Sequence, residues 1–383
     1  MNKILFLMKY PSCLDENLKR KFDGQMNACI NLGYEVWFIE WNGAFFFLKC
    51  KNTNKRKMVF RQKSILKKEI YYHTQIFVDL YQVCYYLLKR EKFDYIYMRS
   101  MPPIPPALKM VKEIKKTSKL IIEIPTYPIE NEYSKEKRWI RKLCFKLLDN
   151  NKKNIFLKAD LLTLCGEEIE DTAYGRPAIN FSNGIDVDNI PIRKPDLHIN
   201  DIHILLLASM CYWQAYDKII ESLVSYKGKE KVILHFVGND GDGSLKKWKM
   251  MVEKLGLDKN VVFHGALYGE DLNKIVNRSD IGLGTLGLYR KNLDGASTLK
   301  IREYMSRGLP FVYAGKDPAV SEDCPYALKV PNDNTPINME TIAAFAEQFK
   351  NCTDIPYRMR EYAIKHMSWT KEFSYIMDRA KYN

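Results

Sequence analysis

The chain has 383 residues, 46% of them hydrophobic, and a formal net charge of +14. This length exceeds what one hydrophobic core usually serves, so we expect two domains, each with its own core. The nine cysteines are an odd, scattered set without a Cys-x-x-Cys pair, which argues against a disulfide framework or zinc knuckle and suits a reducing cytoplasm. The first apolar run, residues 4–8, is too short for a signal peptide or a membrane span and predicts a buried strand.

Short apolar runs then alternate with segments of helical period, a pattern typical of parallel sheets covered by helices. The first series of predicted strands covers residues 3–8, 35–39, 95–98, 120–124, 161–164 and 178–181. An amphipathic helix is predicted over 18–32, where apolar side chains recur on one face. The second series of predicted strands covers residues 203–208, 232–237, 261–264, 281–284 and 310–313.

The segment 185–201 contains prolines and has no clear period, which indicates a linker between the two series. We therefore predict an α/β chain of two Rossmann-like, doubly wound domains. The expected bounds are 1–190 for the first domain, 191–202 for the linker, 203–356 for the second domain and 357–383 for C-terminal helices. Ligands of such folds bind at the carboxyl ends of the strands.

The excess of positive charge lies in the first half of the chain, which indicates an anionic partner. Residues 49–68 hold nine basic residues and no acidic one, directly after Phe45, Phe46 and Phe47. Such a stretch can bind a protein to an anionic membrane surface, and each Lys or Arg near the surface contributes about 1 kcal/mol of binding free energy. A solvated basic loop is the alternative. A nucleic-acid partner is not expected, because the sequence has no zinc-finger, helix-turn-helix or aromatic RNA-binding signature.

The sharpest cluster of polar residues follows the predicted strand 281–284. The loop 285–296 leads into a helix whose N-cap candidate is Ser297, and the free N–H groups and positive dipole of a helix start suit a pyrophosphate. Arg290, Lys291 and Lys300 add cationic donors for phosphate oxygens. Glu303, two turns into the helix, suits a pair of ribose hydroxyls. The alternative is a capped surface helix with a salt bridge.

Two further turns follow strands of the same domain, HFVGNDGDG at 235–243 and FHGAL at 263–267. Their glycines permit close approach of the backbone to a ligand. Together with 261–293 and ASTLKIREYMSRGLPFVY at 296–313, they resemble the donor-binding domain of glycosyltransferase family 4 and related bacterial capsular and exopolysaccharide enzymes. Upstream, FSNGIDVDNIP at 181–191, WQAYDKIIESL at 213–223 and IEIPTYPIENE at 122–132 resemble further elements of these enzymes.

The resemblance implies the GT-B fold, in which two Rossmann-like domains face across a cleft and C-terminal helices pack back toward the first domain. It also implies a UDP- or GDP-linked sugar donor as substrate, no cofactor, no essential metal and retention of anomeric configuration. By position, Glu303 holds the ribose, Lys300 the diphosphate, and the backbone of Ser297 and Thr298 the distal phosphate. The expected donor-binding residues are Gly238, Ala266, Leu267, Arg290, Ser297, Thr298, Lys300 and Glu303.

The chain departs from the family pattern at the sugar contact. The first Glu of the family's E-x7-E pattern falls on Gly295, so the contact with the donor sugar passes to Asp294, to the backbone, or is lost. The family's Arg and Lys after the first strand of this domain fall on Ser209 and Gln214. Their loss leaves Arg290 or Lys218 to compensate.

The candidate catalytic residues are Glu130, Glu132 and Asp294, and the first two follow Thr126 and Tyr127 on a loop after a strand. Either glutamate could act as base on an acceptor hydroxyl. The family's histidine in this domain has no counterpart, because His73 falls in a predicted helix. The acceptor-side candidates are Asp23, Gly24, Thr126 and Tyr127. No metal is predicted, since the two Asp-x-Asp strings, at 186–188 and 240–242, lie at turns, where aspartate is favoured anyway.

These observations favour a glycosyltransferase of bacterial surface polysaccharide synthesis, acting on a saccharide or an undecaprenyl-diphosphate-linked acceptor. The expected location is cytoplasmic, at the inner face of the membrane. Two alternatives stay open. One is a sugar-nucleotide epimerase of the same fold, which would need acid and base residues in both domains. The other is a non-catalytic partner subunit, favoured by Gly295, Ser209 and Gln214.

Overall fold

The computed structural model describes residues 1–10, 16–61, 71, 75–129, 139–166, 169–196, 200–350 and 352–382. The chain forms two compact units, one of Met1–Gly184 with Trp369–Asn383 and one of Ile185–Ser368. The segment predicted as a linker, 191–202, belongs to the second unit in this division. Its Arg193 is buried and donates a hydrogen bond to the carbonyl of Ser279 within that unit.

The described strands of each unit form one sheet, ordered β4-β3-β2-β1-β5-β6-β7-β9-β8 in the first and β12-β11-β10-β13-β14-β15 in the second. The strands of the first sheet are β1 Lys3–Tyr10, β2 Glu35–Trp41, β3 Phe45–Cys50, β4 Arg56–Arg61, β5 Tyr95–Arg99, β6 Lys119–Tyr127, β7 Leu161–Gly166, β8 Thr172–Ala173 and β9 Arg176–Asn180. Those of the second are β10 Asp201–Leu207, β11 Lys231–Val237, β12 Val261–Gly265, β13 Ile281–Leu283, β14 Phe311–Ala314 and β15 Ala327–Val330.

Helices follow most of the strands, as the alternation of sequence patterns predicts. In its described residues the first unit contains α1 Glu16–Asn31, α2 Ile76–Leu88, α3 Pro105–Ile114 and α4 Trp139–Phe156. The second unit contains α5 Tyr216–Ser225, α6 Ser244–Lys254, α7 Gly269–Arg278, α8 Leu299–Arg307, α9 Met339–Glu347 and α10 Ile355–Met367, and the final helix α11, Trp369–Tyr382, returns to the first unit.

All the predicted strands are present in the structure. The pairing of β1 with β2 and β5, and of β10 with β11 and β13, is parallel. A parallel strand that is covered on both faces reads as a continuous apolar run. Such runs occur at residues 4–8 of β1 and 204–206 of β10, all of them buried.

Residues 45–61 form two strands that the sequence patterns did not predict. Phe46, Leu48 and Cys50 alternate into the core, and β3 pairs antiparallel with β2. Phe45 and Phe47 lie on the other face, where the guanidinium groups of Arg61 and Arg56 lie over their rings at 5.7 and 3.4 Å from the centroids. The interpretation as a basic loop is therefore wrong for 56–61, which form the edge strand β4. Residues 62–70 lie outside the described part of the chain.

The last predicted segment forms two helices with different neighbours. Helix α10 packs on α8 in the second unit, with Met359 and Ala363 in the same apolar cluster as Ile301 and Met305. Helix α11 packs in the first unit, where the ring of Phe373 lies against that of Tyr97, 5.0 Å between centroids. Of the C-terminal helices, only α11 belongs to the first unit.

Candidate functional site

The loops that follow β10 and β11 contact each other through their backbones. Met210 N–H donates to the carbonyl of Asn239 over 2.8 Å, and Gly241 N–H donates to the carbonyl of Met210 over 2.9 Å. Gly238 has a φ of +143°, and a Cβ there would lie 1.7 Å from the carbonyl oxygen of Ala208. Glycine is thus required at position 238 because two loops approach closely there. The sequence alone could not distinguish this requirement from a role in ligand binding.

Helix α8 begins one residue later than predicted, with Thr298 at the N-cap instead of Ser297. The reason lies in the preceding residues, because Gly295 pairs with Lys316 as an isolated parallel bridge and Ala296 N–H donates to the Lys316 carbonyl. This pairing keeps the chain extended up to the helix. Among the described residues the buried Thr298 Oγ1 has no hydrogen-bond partner, and the side chain does not cap the helix.

Lys300 lies in the first turn of α8 and reaches the loop after β10. Its ammonium donates to Oε1 of Gln214 over 2.6 Å and to the hydroxyl of Tyr216 over 3.0 Å. Desolvation lowers the pKa of Lys300 to about 7. Near neutral pH the Lys300 amine is therefore only partly protonated, and a nearby anion favours its charged form. The amine lies at the carboxyl edge of the second sheet.

Glu303 lies one turn further along α8 and is half-buried. Its Oε1 accepts a hydrogen bond from Arg307 Nε over 2.9 Å, and Arg307 Nη1 donates to Oδ1 of Asn273 over 2.8 Å. The neighbouring Arg302 has a structural role, since it is completely buried and pairs with Asp317 through both terminal nitrogens. Of these two charged residues, Glu303 is the one with exposed surface.

Arg290 forms a bidentate ion pair with Asp217, with nitrogen–oxygen distances of 2.9 and 2.7 Å. Its Nη1 also donates to the carbonyl of Tyr212 and its Nε to the hydroxyl of Tyr289. Burial alone would lower the pKa of Arg290, but the hydrogen bonds to Asp217 and Tyr289 raise it. Lys218, the other compensating cation considered, is buried and donates to the carbonyl of Asp333 over 2.7 Å. Both side chains thus hold neighbouring loops, and their contact with phosphate stays a prediction.

The loop that carries Asp294 and Gly295 packs against the residues after β14. A Cβ on Gly295 would lie 2.5 Å from the carbonyl oxygen of Lys316, closer than real Cβ contacts. A glutamate therefore does not fit at this position without a shift of the backbone. Asp294 is exposed, and its carbonyl accepts a hydrogen bond from Lys316 N–H over 2.8 Å.

The predicted base contacts, Ala266 and Leu267, lie in the loop between β12 and α7 and are half-buried. In the first unit, Tyr127 ends β6 and packs edge-on against Tyr174, with 5.7 Å between ring centroids. Thr126 precedes it in the same strand. Glu130, Glu132 and His73 lie outside the described residues.

The acceptor-side candidates on α1 have other contacts in the first unit. Asp23 accepts hydrogen bonds from Lys51 Nζ over 2.5 Å and from the hydroxyl of Tyr10 over 3.1 Å. Gly24 is buried, and a Cβ there would lie 2.4 Å from Cδ1 of Trp369. The glycine therefore serves the packing of α11 on α1.

Comparison with known proteins places this geometry in a structural class. No family model matches the chain, and no curated protein matches it. Among solved structures, sucrose-phosphate synthase from Thermosynechococcus elongatus is similar at 11% identity and a TM-score of 0.62, over 99% of each chain. HepE from Anabaena, solved with UDP, is similar at 12% identity and a TM-score of 0.61, over 100% of each chain. A glycosyltransferase from Rickettsia africae is similar at 14% identity and a TM-score of 0.64, over 99% of this chain and 98% of that one.

The chain has the GT-B glycosyltransferase fold. Within the second unit of this GT-B chain, Lys300 in the first turn of α8 contacts the loop after β10, and loops that follow parallel strands are the usual ligand position in such sheets. None of the described helices is long and apolar enough to cross a membrane. Nor do the described residues include a group of three or more His, Cys, Asp or Glu side chains with the geometry to hold a metal ion.

The first unit of the GT-B chain contains a buried ionic cluster that the sequence patterns did not predict. Glu123 on β6 is completely buried and accepts hydrogen bonds from Lys21, Gln25, Tyr97 and Arg99 at 2.5–2.9 Å. Burial alone would raise the pKa of Glu123, but Lys21 and Arg99 outweigh it and lower the pKa to about 2. In the sequence, the only sign of this cluster was the charged Glu123 inside an apolar run.

The second unit contains a row of three hydrogen-bonded imidazoles across β10, β11 and β12. Nδ1 of His203 lies 2.8 Å from Nε2 of His235, whose Nδ1 lies 3.0 Å from Nε2 of His264. A neutral imidazole has one donor and one acceptor nitrogen, so three neutral rings satisfy both bonds with all donors pointing the same way. Desolvation and the two neighbouring histidines lower the pKa of His235 to about 3. The row therefore favours neutral rings.

Proposed function

We propose that this protein is a glycosyltransferase that moves a sugar from a nucleoside-diphosphate sugar to a saccharide or lipid-linked saccharide. The observation that carries the proposal is that α8 carries both Lys300, an amine with a pKa of about 7, and Glu303, a half-buried carboxylate. The likeness of the fold to HepE, which was solved in complex with UDP-glucose, supports a nucleotide-sugar ligand.

In the proposed reaction the bond between the anomeric carbon and the diphosphate oxygen breaks, and the acceptor oxygen takes the place of the diphosphate. Lys300 and the N–H groups of Ser297 and Thr298 stabilise the negative charge of the leaving diphosphate. Glu303 accepts hydrogen bonds from the ribose hydroxyls, and Ala266 and Leu267 contact the base.

The sugar and acceptor ends of the proposed reaction depend on carboxylates. Asp294 contacts the donor sugar, since Gly295 has no side chain for that purpose. Glu130 or Glu132 takes the proton of the acceptor hydroxyl, and the family resemblance implies retention of anomeric configuration. Because protein cations meet the diphosphate charge, the proposed transfer requires no metal.

We further propose that the acceptor is a surface-polysaccharide intermediate at the inner face of the cytoplasmic membrane. Support comes from β4, an edge strand with exposed Arg56, Lys57, Met58 and Arg61. Exposed cations beside apolar side chains suit an anionic lipid surface. Replacing the three basic residues with serine should reduce co-sedimentation with vesicles containing phosphatidylserine. The matched control replaces Lys246, Lys247 and Lys254, which are also exposed and lie on α6.

The central experiment incubates the purified protein with a panel of UDP- and GDP-sugars and measures its melting temperature, donor hydrolysis and transfer. We expect at least one donor to raise the melting temperature and to be hydrolysed slowly, and Lys300→Ala to abolish both effects. Isomerised donor without hydrolysis or transfer would indicate an epimerase. Nucleotide binding without turnover of any donor would indicate a non-catalytic subunit.

A further inference from the structure

The side chain of Gln214 connects three segments at the carboxyl edge of the second sheet. It is buried, and its Oε1 accepts hydrogen bonds from Lys300 Nζ over 2.6 Å and from Thr285 Oγ1 over 3.0 Å. Its Nε2 donates to the carbonyl of Ser209 over 3.3 Å. The backbone carbonyl of Gln214 accepts from Leu286 N–H over 3.1 Å. The amide is therefore held from both ends, with its oxygen directed at the lysine.

The Lys300 amine has neutral hydrogen-bond partners in this position. Besides Gln214 it contacts the hydroxyl of Tyr216, which itself donates to the carbonyl of Leu283 over 3.2 Å. No carboxylate pairs with Lys300 among the described residues. The titratable groups acting on it are Tyr216, whose pKa is raised far above its usual value by burial, and the thiol of Cys211. A desolvated ammonium without a counter-ion is stabilised by an anionic ligand, which supplies the missing opposite charge.

A lysine at position 214 would place a second ammonium against that of Lys300, and two like charges at this distance repel strongly. With glutamine there, the amide accepts a hydrogen bond from a cation that comes from α8 across 86 positions of the sequence. We propose that Gln214 is a positioning residue that holds the Lys300 ammonium between the β10 and β13 loops to meet the donor diphosphate. This inference rests on the proposed function, because it assumes a diphosphate at this edge of the sheet.

The first test measures UDP and GDP binding by calorimetry from pH 6.5 to 9. For the unaltered protein we expect affinity to fall above pH 7, as Lys300 loses its proton. Gln214→Glu places a carboxylate on the amine, so we expect at least a tenfold loss of affinity at pH 7. The pH at which half of the affinity is lost on the alkaline side should also rise by about one pH unit, because a neighbouring anion favours the ammonium. We call this pH the midpoint. Thr285→Val removes the other bond to the same amide oxygen and should leave the midpoint unchanged.

The second test exchanges the two side chains and does not depend on Gln214→Glu folding well. Lys300→Gln should lose at least tenfold in affinity, and the double variant Gln214→Lys with Lys300→Gln should regain at least threefold of it. A midpoint that does not move in Gln214→Glu, or an exchange variant that binds no better than Lys300→Gln, overturns the positioning role. If the folded, unaltered protein binds neither UDP nor GDP, the proposed function fails and this inference fails with it.

Discussion

Arg307 Nε donates a hydrogen bond to Oε1 of Glu303 across 2.9 Å, one turn along α8. The carboxylate of Glu303 accepts no other hydrogen bond among the described residues, so its second oxygen is available for a ligand. Arg307 is itself buried and holds Asn273 with Nη1. The carboxylate is therefore fixed in direction before a ligand arrives, which lowers the entropic cost of binding.

Glu303→Gln should weaken UDP binding about 10- to 100-fold, since hydrogen bonds to a charged group contribute roughly 1.5–3 kcal/mol. The amide keeps the contact with Arg307, so the melting temperature of the free protein should change little. Calorimetry with UDP and with its 2′,3′-dideoxy analogue checks the ribose assignment, because the analogue should bind both proteins equally. Glu347→Gln, in an i,i+3 ion pair with Lys350, serves as the control. A similar loss for both ligands would exclude the ribose role.

Gly295→Ala should destabilise the protein by about 1–3 kcal/mol, because overpacking forces a backbone shift. The added Cβ would meet the Lys316 carbonyl at 2.5 Å. Urea unfolding measures the effect, with Asp294→Ala as the matched variant on the same loop. That exposed substitution should alter stability by less than about 0.5 kcal/mol. Equal stability of Gly295→Ala and the unaltered protein would contradict the close packing.

Acidification below pH 6.5 should destabilise the second unit through His235. Its pKa is about 3 in the folded protein against an ordinary 6.5, so the unfolded chain binds a proton that the folded one does not. The resulting stability is complete above pH 6.5 and falls by about 1.4 kcal/mol per pH unit as the pH decreases toward 3. Melting temperatures between pH 7.5 and 5 measure this slope. In His235→Phe the slope should be smaller, although the loss of two hydrogen bonds lowers stability at pH 7.5.

Glu123→Gln should destabilise the first unit by about 3–5 kcal/mol, the range for breaking a buried ion pair. The substitution leaves Lys21 and Arg99 without their shared counter-ion. The pKa of Glu123 is lowered to about 2, so its contribution to stability is present above pH 4.5 and is lost as the pH falls from 4.5 toward 2. Urea unfolding at pH 7 and pH 3 measures both effects. Unchanged stability at pH 7 would show that the cluster contributes no net energy.

The sequence alone determined the α/β class and the positions of most strands, and it predicted the donor site on α8, which stays a prediction. Strand positions follow from local patterns, since apolar runs in a parallel sheet are buried on both faces. The strand β3 escaped prediction because its outward-facing Phe45 and Phe47 are apolar as well and hide the alternation, and β4 escaped it because none of its residues is buried. The start of α8 was one residue off because pairing of Gly295 with Lys316 extends the preceding chain.

Only the tertiary structure decided the partner of each charged side chain. Arg290 is 73 positions from Asp217, and Lys300 is 86 positions from Gln214. No local pattern reports such contacts, because they depend on which loops meet at the edge of the sheet. The sequence marked Gln214 as a missing cation, whereas the fold makes it the hydrogen-bond acceptor of Lys300. The residue types therefore indicated the chemistry of the candidate site. The geometry of the site depends on how the loops after β10, β13 and β14 pack against one another.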